Sequence, residues 1–508
     1  MAYDFTRRHF FFGSLLAGAI PSGGFGSTAS LARLGYKSPN EKLNIASIGA
    51  GGQAASDLTN CASENIVALC DVDEKQAARK FSQYEKVPKY KDFRKMLDKE
   101  KGIDAAIVTI PDFMHATAAT WCMERGKHVY VQKPLTRTIW EARKLMEAAN
   151  KYKVATQMGN QGYSCEGTRQ VAEIVWSGEI GNVTEVHAWT NRPIWPQGLT
   201  QIPAPAKAPD TLDWDLWLGG SAARPWTDGG SGYPTDDGYF YQPFNWRGFY
   251  DFGCGALGDM ACHILGAPNL ALKLGVPSSV ECIHKEGASD FMFPKKSTIR
   301  FDFPARGNMP ALKLFWYDGL TANPEIPGVP KGEYLGDPPT RSVRRGGRGA
   351  GGAAGRGAAA PVPAPTGFVG KVFDFAEFDL VRQDPNPNIP KPNGSLFIGD
   401  KGMLTTGTYG ENTRLIPVDK MKDYTFPPKL LTRSPGHHQD WIRAAKGGDP
   451  ACSHFNIAAP FVEWMLLGVI ALRVEGKIEY DAAKMKITNN ADANKYLKPT
   501  FRKGWSFV

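Results

Sequence analysis

Between residues 42 and 160, short apolar runs alternate with stretches of helical periodicity. Residues 43–48, 66–70, 105–110, 128–131 and 154–158 are apolar at most positions, as strands buried on both faces require. The segments between them read as helices. Asp73 opens one, with Gln76 at the offset of a capping box. Thr138 opens another, with Glu141 at the same offset; Ile139, Ala142, Leu145 or Met146, and Ala149 share its apolar face. This alternation predicts an α/β fold, an N-terminal Rossmann domain with a doubly wound parallel sheet over residues 42–160.

The pattern changes after about Gly162. Residues 191–250 are rich in Pro, Trp, Tyr and Gly and read as a long ordered loop region. Strand-like runs return at 279–284, 297–303, 311–317 and 396–398, predicting a mixed or largely antiparallel sheet. Residues 437–446 and 458–474 read as closing helices. Residues 161–508 are therefore expected to form a C-terminal α/β domain that binds substrate and carries catalysis. Residues 341–366 hold almost no large apolar side chain and are expected to be a disordered surface insertion.

Composition narrows the classes. The chain has 508 residues, enough for two sizeable cores. Its net charge is +9, but residues 1–32 supply +1 and residues 341–366 supply +5, leaving +3 elsewhere. That removes the main support for a nucleic-acid partner. The eight cysteines form no Cys-x-x-Cys pair and are too sparse for a disulfide scaffold. At the front, Arg7 and Arg8 stand directly before an apolar stretch, residues 10–20, and then small residues. That order resembles a twin-arginine export signal over residues 1–32 and implies a periplasmic destination. The stretch is too short and Gly-rich to span a bilayer, and no later segment reads as transmembrane, so no stable membrane insertion is expected.

The first strand runs into Gly49-Ala50-Gly51-Gly52-Gln53-Ala54, a G-x-G-x-x-A match that opens a helix. Such glycines permit a tight turn and close approach of the backbone to a pyrophosphate, and the helix N-terminus adds partial positive charge. The second strand ends at Asp71, 20 residues after Gly51. A carboxylate there accepts from both ribose hydroxyls and repels a 2′-phosphate, so NAD is expected rather than NADP. Asp73 is assigned to the helix cap.

Three further stretches carry candidate chemistry. Thr109-Ile110-Pro111 with His115 ends the fourth strand, and Gln132-Lys133-Pro134 ends the fifth. Both reach the carboxyl edge of the sheet, where ligands bind in such folds. Asp259 and His263 lie four apart, on one face if helical. With the glycine loop and Asp71, these motifs occur in an order that resembles the Gfo/Idh/MocA oxidoreductase family, from about residue 42 onward, leaving out the insertion. The chain departs from that pattern at Gln132, where the family has Glu before Lys-Pro, and at Gly266, where it has an acidic residue.

The resemblance implies cofactor contacts at Gly49, Gly51, Gly52, Gln53, Ala54, Asp71, Ile110, Pro111, His115, Gln132 and Lys133. It implies a proton-transfer set of His263 as base, Lys133 on the same oxygen and Asp259 as orienter. Chemically, oxidising a carbinol needs a hydride acceptor and a base. Trp246 and Arg247 fit a sugar pocket or core packing equally. His437 and His438 fit a site role or a loop role equally. No third ligand accompanies the Asp259/His263 pair, so no metal is expected. The expected activity is NAD-dependent oxidoreduction at a sugar, polyol or glycoside hydroxyl. Two alternatives stand beside it: a redox-neutral NAD-dependent glycosidase or lyase using transient sugar oxidation, and a catalytically inactive sugar- or nucleotide-binding protein. A homo-oligomer is expected from the resemblance.

Overall fold

The computed structural model describes residues 41–229, 240–287, 289–337 and 392–507. The leader, residues 1–32, and the insertion, residues 341–366, lie outside the described residues. Six parallel strands form the N-terminal sheet: β1 (Asn44–Ile48), β2 (Asn65–Cys70), β3 (Lys89–Tyr90), β4 (Ala105–Val108), β5 (His128–Gln132) and β6 (Thr156–Gly159). Their order is β3-β2-β1-β4-β5-β6, so the chain reverses direction across the sheet between β1 and β4. The crevice at that reversal is the ligand position of a doubly wound sheet.

Helices α1 (Gly52–Asn60), α2 (Glu74–Gln83), α3 (Phe93–Lys99), α4 (Asp112–Met123) and α5 (Ile139–Tyr152) connect these strands. The Thr138–Glu141 capping box opens α5 with both reciprocal bonds in place. Asp73 caps α2 through the backbone N–H groups of Lys75 and Gln76, but it forms a simple cap; the reciprocal Gln76 bond is absent. Strand β4 stops at Val108, short of the expected residue 110, because Pro111 turns the chain into α4.

After α6 (Glu166–Trp176) comes β7 (Val183–Trp189) and then the 191–250 region, which holds the short helix α7 (Trp214–Leu218). The region is packed by stacked aromatic rings such as Trp214–Trp217 and Trp214–Tyr241. Two consecutive helices follow, α8 (Gly255–Ile264) and α9 (Gly266–Ala271). The second sheet then builds from β8 (Ser279–Glu286), β9 (Lys296–Phe303), β10 (Leu312–Asp318), β11 (Gly394–Gly399), β12 (Met403–Thr406) and β13 (Arg414–Ile416). Two helices, α10 (His437–Ala445) and α11 (Phe455–Ala471), precede the last strands, β14 (Lys477–Asp481) and β15 (Lys486–Ile487). The nine strands are ordered β13-β12-β11-β7-β10-β9-β8-β14-β15, and only β7–β10 pair in parallel. Strand β9 alternates half-buried and buried positions, so one face of the sheet packs against helices.

The C-terminal helices return to the first domain. Trp441, Ile442 and Ala445 of α10 are buried with Leu43, Ile45, Leu58 and Tyr130 in one apolar cluster. Arg143 of α5 donates to Glu463 of α11. The nucleotide-binding fold is thus completed by residues beyond 160. All eight cysteines are unpaired. No helix among the described residues is long and apolar enough to cross a membrane.

Candidate active site

The glycine loop leaves β1 with Gly49 at φ +95°, where a Cβ would stand 2.1 Å from the Thr109 carbonyl oxygen. Only glycine lets β1 and β4 approach this closely at the crevice. A Cβ on Gly51 would meet the Gln76 carbonyl at 2.5 Å, whereas Gly52, at φ +50°, has open space above it. Helix α1 has no side-chain cap, and its first turn carries no acid. That uncapped N-terminus suits an anionic group. Ala54 is fully buried and contributes close packing of helix on strand.

Asp71 sits beneath the loop. One carboxyl oxygen accepts from the N–H groups of Ala50 (2.8 Å) and Gly51 (3.3 Å), the other from Asp73 N–H (3.0 Å). Burial raises its pKa, and these three bonds oppose the rise. The carboxyl group therefore shapes the loop as well as standing where ribose hydroxyls are expected. At the carboxyl end of β6, Asn160 is fully buried, and neither its amide nitrogen nor its amide oxygen has a partner. A paired donor and acceptor held open in this position complement a carboxamide such as that of nicotinamide. The loop, Asp71 and Asn160 together fit a dinucleotide.

Lys133 leaves the end of β5 and reaches α8. Its Nζ donates to Asp259 Oδ1 (2.8 Å) and to the Asp259 carbonyl oxygen (2.9 Å). Arg247 Nε donates to the same Oδ1 at 3.0 Å. Burial opposes ionisation of Asp259, but Lys133, Arg247 and Arg192 outweigh it and hold its pKa far below the carboxylate range. His263 lies one turn further along α8. Its Nδ1 is buried without a partner, and Tyr409 meets the ring edge-on at 4.9 Å. Burial, then the charge of Lys133, push its pKa well below the ordinary value, so the imidazole is neutral at working pH. The neutral imidazole is in the proton-accepting form.

Several expected contacts fall elsewhere. His115 is fully buried between two carbonyls, with Nδ1 2.8 Å from Pro134 O and Nε2 2.7 Å from Ile110 O. Burial pulls its pKa to about 4 against those carbonyls. It ties the end of β4 to the Lys133 turn and offers no free atom to a cofactor. Gln132 is likewise committed: Nε2 donates to Asp57, and Oε1 accepts from Lys133 N–H. Gln53 turns its amide to Asp57, leaving its backbone to face the loop. Trp246 is buried and supports Arg247: its N–H donates to Pro243 O, and the guanidinium lies 4.3 Å from its ring.

Other site residues carry no motif. Asp112, the first residue of α4, is buried beside the cluster. Burial raises its pKa to about 7, opposed by Arg247 and Lys133 and reinforced by Asp259. An acidic residue just after Pro111 was the available signal, since acids favour a first helical turn. Arg192 and Tyr409 arrive from beyond β7 and β12, too far along the chain for any spacing rule. His437 and His438 are both buried: His437 Nδ1 accepts from Ser164 at 2.6 Å, and His438 Nε2 lies 3.0 Å from Asp57. No group of three or more His, Cys, Asp or Glu among the described residues is arranged to hold a metal ion.

Residues 43–160 match the family model described as "Oxidoreductase family, NAD-binding Rossmann fold", that of the Gfo/Idh/MocA proteins. The inositol 2-dehydrogenase of Salmonella typhimurium is 30% identical over 150 residues, 29% of this chain and 44% of that protein. A glycosyl hydrolase family 109 protein of Solibacter usitatus is 29% identical over 175 residues, 31% of this chain and 39% of that protein. The chain thus spans less than half the length of the curated relatives it matches. Among solved structures, the WlbA dehydrogenase of Chromobacterium violaceum, in complex with NADH and UDP-GlcNAcA, superposes with a TM-score of 0.53 at 14% identity, covering 88% of this chain and 98% of that one. The Bordetella pertussis WlbA dehydrogenase gives 0.53 at 12% identity, covering 87% and 99%. These establish the two-part α/β fold over nearly all of the described chain. Over residues 43–160 the chain is similar to the NAD-binding Rossmann domain of the Gfo/Idh/MocA oxidoreductases.

Proposed function

We propose that the protein is an NAD-dependent oxidoreductase that acts on a CH–OH group of a sugar, polyol or glycoside. The observation that carries the reading is the neutral, unpartnered His263 imidazole placed on the same helix as Asp259, whose carboxylate holds Lys133. Bound NAD supplies a hydride acceptor. His263 takes the hydroxyl proton as the carbinol is oxidised, and Lys133 donates a hydrogen bond to the same oxygen. Asp259 fixes the lysine, and Arg247, stacked on Trp246, fixes Asp259. The carbohydrate substrate class rests on the relatives, which include an inositol dehydrogenase and an enzyme crystallised with a nucleotide sugar.

A redox-neutral variant, with transient oxidation followed by bond cleavage and hydride return, is favoured by two observations. One is the similarity to a glycosyl hydrolase family 109 protein. The other is the leader, which we read as directing export to the periplasm, where no pool of NAD replaces a spent cofactor. We also propose self-association. Its support is one face of the second sheet, where the half-buried rings of Phe315 and Tyr317 stack on the buried His187.

The test is direct. Protein purified from the exported fraction is denatured and assayed for released NAD, then polyols and glycosides are screened for product and for NADH absorbance. Lys133→Met is expected to abolish hydride transfer while NAD affinity stays within about threefold, since the lysine acts mainly on the reacting oxygen. Full turnover in that variant removes the role assigned to the lysine. Saturable sugar binding with no NADH signal in the native protein favours a binding protein instead.

A further inference from the structure

We propose that Asp57, which lies outside every sequence motif, positions Lys133 through the side chain of Gln132. Asp57 sits on α1 and is fully buried. Its carboxyl group collects contacts from three other parts of the fold and from its own helix. Gln132 Nε2, at the end of β5, donates to both oxygens (3.1 and 3.0 Å), and Thr109, after β4, donates to Oδ2 at 2.8 Å. Gln53 donates to Oδ1 at 3.2 Å, and His438 Nε2 of α10 lies 3.0 Å from the same oxygen.

The consequence lies in the Gln132 amide. An amide is free to flip, and its two ends are nearly equal in shape. A carboxylate accepts only, so it binds the NH2 end of Gln132 and forces Oε1 to the opposite side. There Oε1 accepts from Lys133 N–H at 3.2 Å. Gly159 makes the space this amide occupies, since a Cβ on that residue would stand 2.7 Å from Gln132 Cδ. The backbone that launches the lysine is thus fixed by a chain of directional bonds starting in α1. The Lys133–Asp259 contact follows from it. Asp57 touches no substrate and is a positioning residue.

The inference rests on Lys133 being the reacting lysine, but its test needs no substrate. The readouts are NADH affinity, by fluorescence, and the rate at which acetic anhydride acylates Lys133 relative to Lys285, followed by peptide mass spectrometry. Lys285 donates to Leu472 O in the second domain and serves as the internal reference. D57N is expected to acylate at Lys133 about tenfold faster, within the range that coupled hydrogen-bond partners show, with NADH affinity unchanged. Exchanging the two ends of the pair, D57N/Q132E, returns a carboxylate facing an amide and is expected to restore the native ratio. Q132E alone sets two acids together and is expected to release the lysine as D57N does.

If D57N does not fold, Q132M removes the amide, leaves Asp57 in place, and carries the same expectation. The proposal is overturned if the Lys133 ratio stays within about twofold of native in D57N or Q132M, since that is less than such coupling gives. It is also overturned if the double variant fails to restore the ratio, or if Tm falls while the ratio does not move. Absence of NADH binding in the native protein refutes the functional reading and leaves the Lys133 ratio to judge Asp57 separately.

Discussion

Replacing Asp112 with Asn is expected to change how stability depends on pH, by an amount the structure sets. The side chain is 4% exposed, and burial raises its pKa from the ordinary 3.8 to about 7. For an acid, a folded value above the unfolded one means that the folded protein binds the extra proton between those limits. Stability from this group therefore falls as pH rises through the window from about 4 to 7 and is level above it. About three powers of ten in proton affinity correspond to about 4 kcal/mol in total, of which about 2–3 kcal/mol accrues between pH 5 and pH 8.

Asn does not titrate, so the variant loses this component while every other group remains common to both proteins. Urea denaturation of the two proteins at pH 5, 6, 7 and 8 measures it. The native protein is expected to lose about 2–3 kcal/mol relative to D112N across the series. Parallel pH dependences, or a native protein that gains stability relative to D112N as pH rises, would refute the reasoning. The same proton stands beside Lys133 and Asp259, so an inflection near pH 7 in kcat/KM is expected in the native protein and not in D112N.

Two other substitutions test the cofactor side of the crevice. Gly49→Ala places a methyl group 2.1 Å from the Thr109 carbonyl oxygen at φ +95°. It is expected to cost about 3 kcal/mol or more, read from the urea midpoint at constant m value. Asn160→Leu removes a buried amide with neither end paired, so the cofactor-free protein is expected to gain about 1–3 kcal/mol while NAD binds about tenfold more weakly by calorimetry. Stabilisation without loss of affinity would show that the amide meets water and not the cofactor.

The parts of the fold legible in the sequence are those with a local cause. Strands β1, β4 and β5, and the second half of β2, are buried on both faces and read as apolar runs, and α5 announces itself through Thr138 and Glu141. The glycine loop, Lys133 and the Asp259/His263 pair are legible because their spacing is dictated by one turn or one helix. Strand β7 escapes because Thr184, Glu185 and His187 break its apolar run, and its place in the sheet depends on β10, over 120 residues away. Strands β13 and β15 are only three and two residues long and leave no period to read.

The same distinction applies within the site. Asp57 reads locally as one polar position in a helix; only the tertiary fold brings Gln132, Thr109 and His438 to it. Gln132 and His115 were expected at the cofactor because motif position is visible in sequence, whereas the bonding that commits their polar atoms elsewhere is not. Tyr409 and Arg192 converge on His263 and Asp259 from distant strands.

The contact between Asp57 and His438 spans 381 residues, which ties the finished nucleotide domain to the timing of synthesis. At about 5–20 residues per second, roughly 20–80 s pass between translation of the two partners. During that interval the first sheet has its strands and glycine loop but lacks the α10 side chains that close its apolar cluster. Until then the nascent nucleotide domain lacks the side chains that cover Tyr130 and pair Asp57. Quality control of this protein is thereby placed at its C-terminal helices: a chain that has lost them exposes the core beneath Tyr130 and leaves a buried acid without its imidazole partner.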